Sequence, residues 1–263
     1  MNLENSLEVA IKAATNAGQI LIDQYQRSDI LATSKESNRD IFTSTDQEAE
    51  LSIIDTLKNF NPSTPILCEE RGLLSNQTSD FLWVVDALDG TVNYIHQIPF
   101  FSVSIALLRR NEPVVGVIYA PLFNDLYYAA RGIGAFKNQA RLLTNDIPPN
   151  DSLFAASFSG KNYLPNERAD EFITFGEIND QTRGCLRTGS ASLNLAYLAE
   201  GKINGCWGKA NKKWDISAGL LIAAEAGAII KTKTSQISDH FSSFIAAPKK
   251  NYEFLEKQLS KFF

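Results

Sequence analysis

Carboxylates are the residues of this chain best placed to do chemistry. In the stretch WVVDALDGTVNYIHQIPF, residues 83–100, a hydrophobic run ends in Asp86 and Asp89 and passes at once into Gly90 and Thr91. At the mouth of a β-strand, two acids with this spacing sit on a tight turn and can face one point. Gly90 lets the backbone come close to an anion, and Thr91 adds a hydroxyl beside free backbone N–H groups. Two such carboxylates repel each other unless a cation lies between them. Mg²⁺ suits the pattern, because it takes oxygen ligands and is usually held by a few carboxylates together with substrate phosphate. A plain acidic turn after a strand is the other reading of the same residues.

Two further acidic positions bear on that choice. ILCEERG closes a short apolar run with Glu69 and Glu70, and KKWDISAGLLIAAEAG sets Asp215 in the first turn of a helix rich in small residues. Glu69 and Glu70 could be a solvated pair, and Asp215 a simple N-cap. Each nevertheless falls where a strand ends or a helix begins, the usual place for site residues in folds that mix the two. The chain has two histidines, His96 and His240, and no evident Ser-His-Asp or cysteine-based constellation. This is consistent with chemistry by metal-activated water, which needs no protein nucleophile.

The elements that must position these acids follow from periodicity. Leu7, Ile11, Ala14, Gly18, Leu21 and Tyr25 recur at helical spacing and predict an amphipathic helix over residues 7–25. The polar TSKESNRDIF after it reads as a loop or a loose hairpin. In STDQEAELSIIDTL, Ser44 or Thr45 stands three residues before Gln47 or Glu48, a capping-box pattern that starts a second helix with Asp46 in its first turn. TPILC, FLWVV, FSVSIALL, PVVGVIYA and DLYYAA then read as consecutive strands of an antiparallel or mixed sheet. Beyond about residue 145 strand and helix alternate: LFAASF, a helix near 166–175, a strand before RTGS, a helix through ASLNLAYLAEG, INGCW, the helix from WDISAGLLIAAEAG, AIIKT, FIAAP and a terminal helix from Tyr252. The change of pattern at LLTNDIPPND predicts an N-terminal α+β half, residues 1–145, carrying most of the acids, and a C-terminal α/β half, residues 146–263, supplying Asp215.

Composition narrows the function classes. The chain has 263 residues, 44% hydrophobic and 21% charged, and no run approaches the roughly 18 apolar residues of a membrane helix. MNLENSLEVA lacks the basic-then-apolar order of a signal peptide, so a soluble, cytoplasmic protein is expected. Cys68, Cys185 and Cys206 are odd in number and widely spaced, which fits reduced thiols. A net charge of −5 gives no general attraction to nucleic acid or anionic lipid, so neither partner is expected. An acidic protein that handles phosphate needs metal ions to reverse the local sign.

DALDGTVNYIHQIPFFSVSIAL and WDISAGLLIAAEAGA resemble the two signatures of the inositol monophosphatase family, Mg²⁺-dependent, lithium-sensitive phosphatases. AATNAGQIL, TSTDQEAE, CEERG, GVIYAPLFNDLYYAARGIGAF and RTGSASLNLAYLAEG fall in family order around them, across nearly the whole chain. The resemblance is to the bacterial inositol-1-monophosphatase-like branch. It implies an α+β sugar-phosphatase fold layered αβαβα, a homodimer, and hydrolysis of a small phosphate monoester such as inositol 1-phosphate. Glu69, Asp86 and the Leu88 carbonyl would hold one Mg²⁺; Asp86, Asp89 and Asp215 would hold a second; a third, weaker ion would touch Glu69. Gly90 and Thr91, with the ligands Asp89 and Asp215 beside them, would form the phosphate site. Asp46 would accept a hydrogen bond from Thr91, and the pair would orient the attacking water near Glu69. Glu70 would support the ligands from behind, and Lys35 matches a lysine on a mobile active-site loop.

Some positions depart from the family or carry no chemistry. Ala87 stands where the family usually has proline, which predicts a small loss of rigidity. Gly208 stands where inositol-hydrolysing members carry an acid that binds substrate hydroxyls. Nucleotide 3′(2′),5′-bisphosphate, histidinol phosphate and fructose 1,6-bisphosphate are accordingly alternative substrates, and a regulatory protein binding RNA or a transcription complex is the non-enzymatic alternative. His96 reads as a hydrogen-bonded structural residue, Tyr94, Phe100 and Phe101 as core, and Arg187 with Ser190 as a link between domains or subunits. The KANKK run could attract an anionic substrate.

Overall fold

A computed structural model describes residues 2–25, 32–37, 40–75, 78–158, 165–234 and 241–263, with the side chains at 32–37, 40–42, 165–169 and 241 left undescribed. Lys35 and His240 fall outside the described side chains. The elements are α1 (Leu3–Gln24), β1 (Ala32–Ser37), β2 (Asp40–Thr43), α2 (Ser44–Phe60), β3 (Ile66–Cys68), β4 (Gly72–Leu73), β5 (Phe81–Asp89), α3 (Thr91–Ile95), β6 (Ser102–Arg109), β7 (Glu112–Ala120), β8 (Asp125–Ala130), β9 (Gly134–Lys137) and β10 (Ala140–Arg141). After the chain crosses to a second sheet come β11 (Leu153–Ser157), α4 (Pro165–Asp180), β12 (Gly184–Leu186), α5 (Ala191–Ala199), β13 (Gly205–Lys212), α6 (Lys213–Glu225), β14 (Ile229–Thr234), β15 (Phe241–Ala247) and α7 (Lys249–Gln258).

The first sheet runs β10-β9-β8-β7-β6-β5-β3-β4. It is mixed, because β3 lies parallel to β5 while the other pairs are antiparallel. The second runs β12-β11-β13-β15-β14, with β11 parallel to both of its neighbours. The strands expected from sequence are β3, β5, β6, β7 and β8, and the described residues of TSKESNRDIF belong to β1 and β2, which pair antiparallel. The short β4, β9 and β10 carry too few residues to show an alternation.

Four apolar clusters separate five layers. Ala10, Ala14, Ala17 and Leu21 of α1 and Ile53 and Leu57 of α2 pack on one face of the first sheet with Trp83, Val85 and Ile105. Its other face, through Val84, Ala106 and Ile118, meets Leu193 and Ala196 of α5 and Ala218 and Ile222 of α6. The opposite sides of α5 and α6 cover the second sheet, and α4 and α7 close that sheet's outer face. The order is αβαβα, as expected. No helix among the described residues is long and apolar enough to cross a membrane.

The third layer carries a constraint for the acids, because α6 must lie tight on the sheet for Asp215 to reach β5. Gly116 of β7 makes that approach possible: a Cβ there would meet the Ala218 carbonyl oxygen at 2.7 Å. We predict that Gly116→Ala destabilises the protein by about 1–3 kcal/mol through overpacking. Gly176 of α4 has open space around its Cβ position, and Gly176→Ala should stabilise by about 0.5–1 kcal/mol. Denaturant unfolding of both variants checks the pair.

Candidate metal centre

The two acids of the opening stretch reach one point because β5 is irregular. In a regular strand, residues three apart point to opposite faces. Against β6, Asp86 pairs with Ser104 and Asp89 with Ser102, so β5 holds one residue more than its partner between those pairings. This is a β-bulge. Ala87 and Leu88 both turn to the α1/α2 face. Asp86 follows Leu82 and Val84 toward the α5/α6 face, and Asp89 regains that face, where it meets Ser190 and Ser192. The Leu88 N–H donates to Asp86 Oδ1 at 2.9 Å, closing the Asx-type turn that shapes the bulge without a proline at Ala87.

Gly90 follows with φ +99°, and a Cβ there would stand 2.9 Å from the Phe100 carbonyl oxygen. Its backbone therefore demands glycine whatever else it serves. Thr91 opens α3, and its Oγ1 donates to the Leu88 carbonyl at 3.0 Å. That carbonyl, the expected backbone ligand, keeps a second lone pair for another partner.

Glu69 and Asp215 arrive from either side. Glu69 follows β3, held beside β5 as its N–H donates to the Val85 carbonyl at 3.2 Å. Asp215 is the third residue of α6, and its Oδ2 accepts the Lys212 N–H at 3.1 Å. Ser104, opposite Asp86, donates through Oγ to the Trp214 carbonyl at 3.0 Å and ties the start of α6 to β6. One carboxylate oxygen from each of Glu69, Asp86 and Asp215 lies within 4.8 Å of the others. Asp89 stands beside them, buried, and is held from α5: Ser190 Oγ donates to its Oδ2 at 2.7 Å, the Ser192 N–H at 2.8 Å, and Ser192 Oγ in a short hydrogen bond. All three bonds fall on Oδ2, which leaves Oδ1 to face another partner.

Electrostatics states what that partner must be. Burial raises the Asp86 carboxyl well above the ordinary carboxylate range, and Glu69, Asp89 and Asp215 push it further the same way. Asp215 is raised by burial and then by Glu69 and Asp89, with Lys212 opposing. Asp89 is raised by burial, against the lowering effect of Ser192 and Ser190. An oxygen-only set of crowded, partly dry carboxylates is the donor chemistry of a hard divalent cation, and Mg²⁺ fits it.

The remaining expected site residues are placed as follows. Asp46 is buried at the start of α2, and burial, with the charges of Glu70 and Glu69, pushes it up to about 8 against the Thr43 N–H. The helix begins at Ser44, as the sequence pattern suggests, but its N-cap is Thr43 and the residue that closes the capping box is Asp46. The expected hydrogen bond from Thr91 to Asp46 is not formed. The Thr91 hydroxyl gives its proton to the Leu88 carbonyl instead, while the Asp46 oxygens accept from Thr43 N–H at 2.8 Å and Thr43 Oγ1 at 3.2 Å. His96 is exposed at the end of α3 and makes no side-chain hydrogen bond among the described residues, contrary to its expected structural role. Arg187 is exposed over the Phe158 ring, 5.6 Å from its centroid.

Three further residues support the site: Glu50 and Asn93, which carry no local signal in the sequence, and Lys212 of the KANKK run, whose partner among the acids the sequence does not show. Glu50 of α2 is fully buried; its Oε2 accepts the Glu70 N–H at 3.0 Å and its Oε1 lies 3.4 Å from Arg71 Nε, which fixes the turn that carries Glu69. Asn93 donates through Nδ2 to the Phe100 and Thr188 carbonyls at 2.7 and 2.9 Å, joining α3 to the loop before α5. Lys212 places Nζ 3.2 Å from Glu69 Oε1. Ser190 could be read as an N-cap before ASLNLAYLA, but its partner lies 101 residues away.

Comparison with known proteins places this site in context. Residues 2–261 match the model of the inositol monophosphatase family. The Nus factor SuhB of Escherichia coli K12 is 36% identical over 229 residues, 87% of this chain and 85% of that protein. The extragenic suppressor protein suhB of Bartonella henselae superposes with a TM-score of 0.89 at 32% identity, over 98% of this chain and 100% of that one. An inositol monophosphatase from Anabaena gives 0.85 at 31% identity, covering 100% and 98%.

The raised carboxyls predict a sign for the pH dependence of stability. Burial, with the charge of Glu70 behind it, pushes Glu50 up to about 7, a value the Arg71 guanidinium only partly restrains. A carboxyl raised in the folded state stabilises at low pH and loses that contribution as pH climbs from its unfolded value toward its folded one. In EDTA the melting temperature should fall between about pH 5 and about pH 8, and Glu50→Gln should flatten the lower part of that fall. Thermal melts across this range check it; a variant as pH-sensitive as the wild type would refute the assignment.

Proposed function

The chain belongs to the inositol monophosphatase family, and on that premise we propose that it hydrolyses inositol 1-phosphate to inositol and phosphate. The observation that carries the reading is the convergence of Glu69, Asp86 and Asp215 from three separate elements, with Asp89 beside them. Glu69, Asp86, Asp89, Asp215 and the Leu88 carbonyl would hold two to three Mg²⁺ ions. Mg²⁺ held by these residues would supply Lewis-acid chemistry: a water of lowered pKa and stabilisation of charge on the leaving oxygen. Asp46 and Thr91, with Glu69, orient the water once the Thr91 hydroxyl turns from Leu88. Gly90 and Thr91 present N–H groups to the phosphate, and Glu70 holds the Glu69 turn. Lithium inhibition, a homodimer and a cytoplasmic location belong to the same proposal.

The alcohol portion of the substrate meets an altered wall. A Cβ on Gly208 would overlap the Asn211 carboxamide and stand 2.7 Å from the Phe244 ring. No acid can stand at 208 with Asn211 in place, so contacts to substrate hydroxyls there must come from a neighbour. For this reason the nucleotide, histidinol and fructose phosphates stay in comparison with inositol 1-phosphate. The name Nus factor carried by relatives such as that of E. coli favours a second reading, a regulatory role that works by binding.

Phosphate release should be measured over these substrates with Mg²⁺, with EDTA, and in Asp89→Asn. We expect Mg²⁺-dependent turnover, highest on inositol 1-phosphate, and a loss of more than about 100-fold in kcat/KM in the variant. Turnover indifferent to EDTA would overturn the mechanism. A cellular phenotype of gene loss that Asp86→Asn fully rescues would favour the regulatory reading.

A further inference from the structure

Lys212 stands at the last position of β13, where the strand hands over to α6. Its backbone N–H is bound by Asp215 and its Nζ by Glu69, so two acids of the cluster fix the residue at both ends. The ammonium also lies 5.3 Å from the centroid of the Trp214 ring, which restricts where it can swing. It is 32% exposed and Glu69 20%, so the pair is partly shielded from solvent and its charge is felt at the cluster.

Counting formal charge shows what this ammonium does. Glu69, Asp86, Asp89 and Asp215 bring four negative charges when ionised. The two stronger divalent cations of the proposed set would cancel them and, before the third and weaker ion enters, leave no net attraction for a phosphate dianion. With Lys212 counted, the loaded cluster is left with one positive charge. The same ammonium opposes the entry of the cations, since it sits on an oxygen of Glu69 that would otherwise be theirs. One charge therefore acts on two ligands with opposite signs.

We propose that Lys212 is a built-in cation of the metal centre, one that weakens divalent-metal binding and strengthens binding of the phosphate dianion. The inference rests on the metal-dependent reading above and adds a specificity-determining residue to it. It also accounts for a basic residue among acids: a purely structural residue at the N-cap of α6 would need only its backbone N–H.

The test is calorimetry on the full chain, with Mg²⁺ titrated into metal-free protein and inorganic phosphate titrated into Mg²⁺-saturated protein. Lys212→Gln, which removes the charge and leaves a polar side chain one atom shorter, should bind Mg²⁺ about three- to tenfold more tightly and phosphate weaker by a similar factor. Lys212→Arg, which keeps the charge, should leave both constants within about twofold of the wild type. Both constants moving in the same direction in Lys212→Gln, or neither moving, overturns the proposal while leaving the metal centre intact. Wild-type protein that binds no Mg²⁺ overturns the metal-dependent reading and this inference together. A melt of each metal-free variant shows that it is folded, and if Lys212→Gln is not, Lys212→Met takes its place with the same expected signs.

Discussion

Carboxylates gathered in one partly dry spot repel, and the structure around this centre is arranged by that repulsion. Two unit charges about 4 Å apart in a medium of effective dielectric near 20 interact by about 4 kcal/mol, while a hydrogen bond to a charged group returns about 1.5–3 kcal/mol. Ser190 and Ser192 can therefore steady Asp89, and Lys212 can steady Glu69, but such contacts do not offset the mutual repulsion of the whole set. A divalent cation can. The protein holds the acids in place through covalent geometry and packing, so that the cation meets an assembled site.

Assembly depends on both sheets. The bulge in β5 turns Asp86 and Asp89 to the face that α5 and α6 cover, and the close seat of α6 on Gly116 brings Asp215 within reach of β5. α5 supplies the donors to Asp89, and its opposite side packs on the second sheet. The centre thus lies where the two halves of the sequence meet. Glu50, from the far side of the first sheet, fixes the Glu69 turn, so the outermost helical layer also bears on the site.

Much of this was legible in the sequence. The near-continuous apolar runs of β5, β6 and β7 reflect strands covered on both faces, and the helical spacing of apolar residues in α1 reflects a helix with one buried face. The acids were visible for the same reason: each ends a strand or opens a helix, where a buried charge has no packing purpose. What was not legible depends on distance along the chain. That Ser192 reaches Asp89 and Lys212 reaches Glu69 follows from tertiary packing alone, 103 and 143 residues apart. The capping residue of α2 is not legible, because Thr43, Ser44 and Thr45 are comparable caps in isolation and the Asp46 carboxylate makes the choice. His96, conspicuous as a lone histidine, is exposed at a helix end.

If the centre is an assembled set of crowded carboxylates awaiting a cation, metal entry must drive off the protons that crowding and burial retain. Calorimetric titration of Mg²⁺ into metal-free protein near pH 6.5, in two buffers of different protonation enthalpy, measures this directly. The account predicts saturable binding whose heat differs between the buffers in the sense of proton release. Binding with equal heats in both, or no binding, would contradict it.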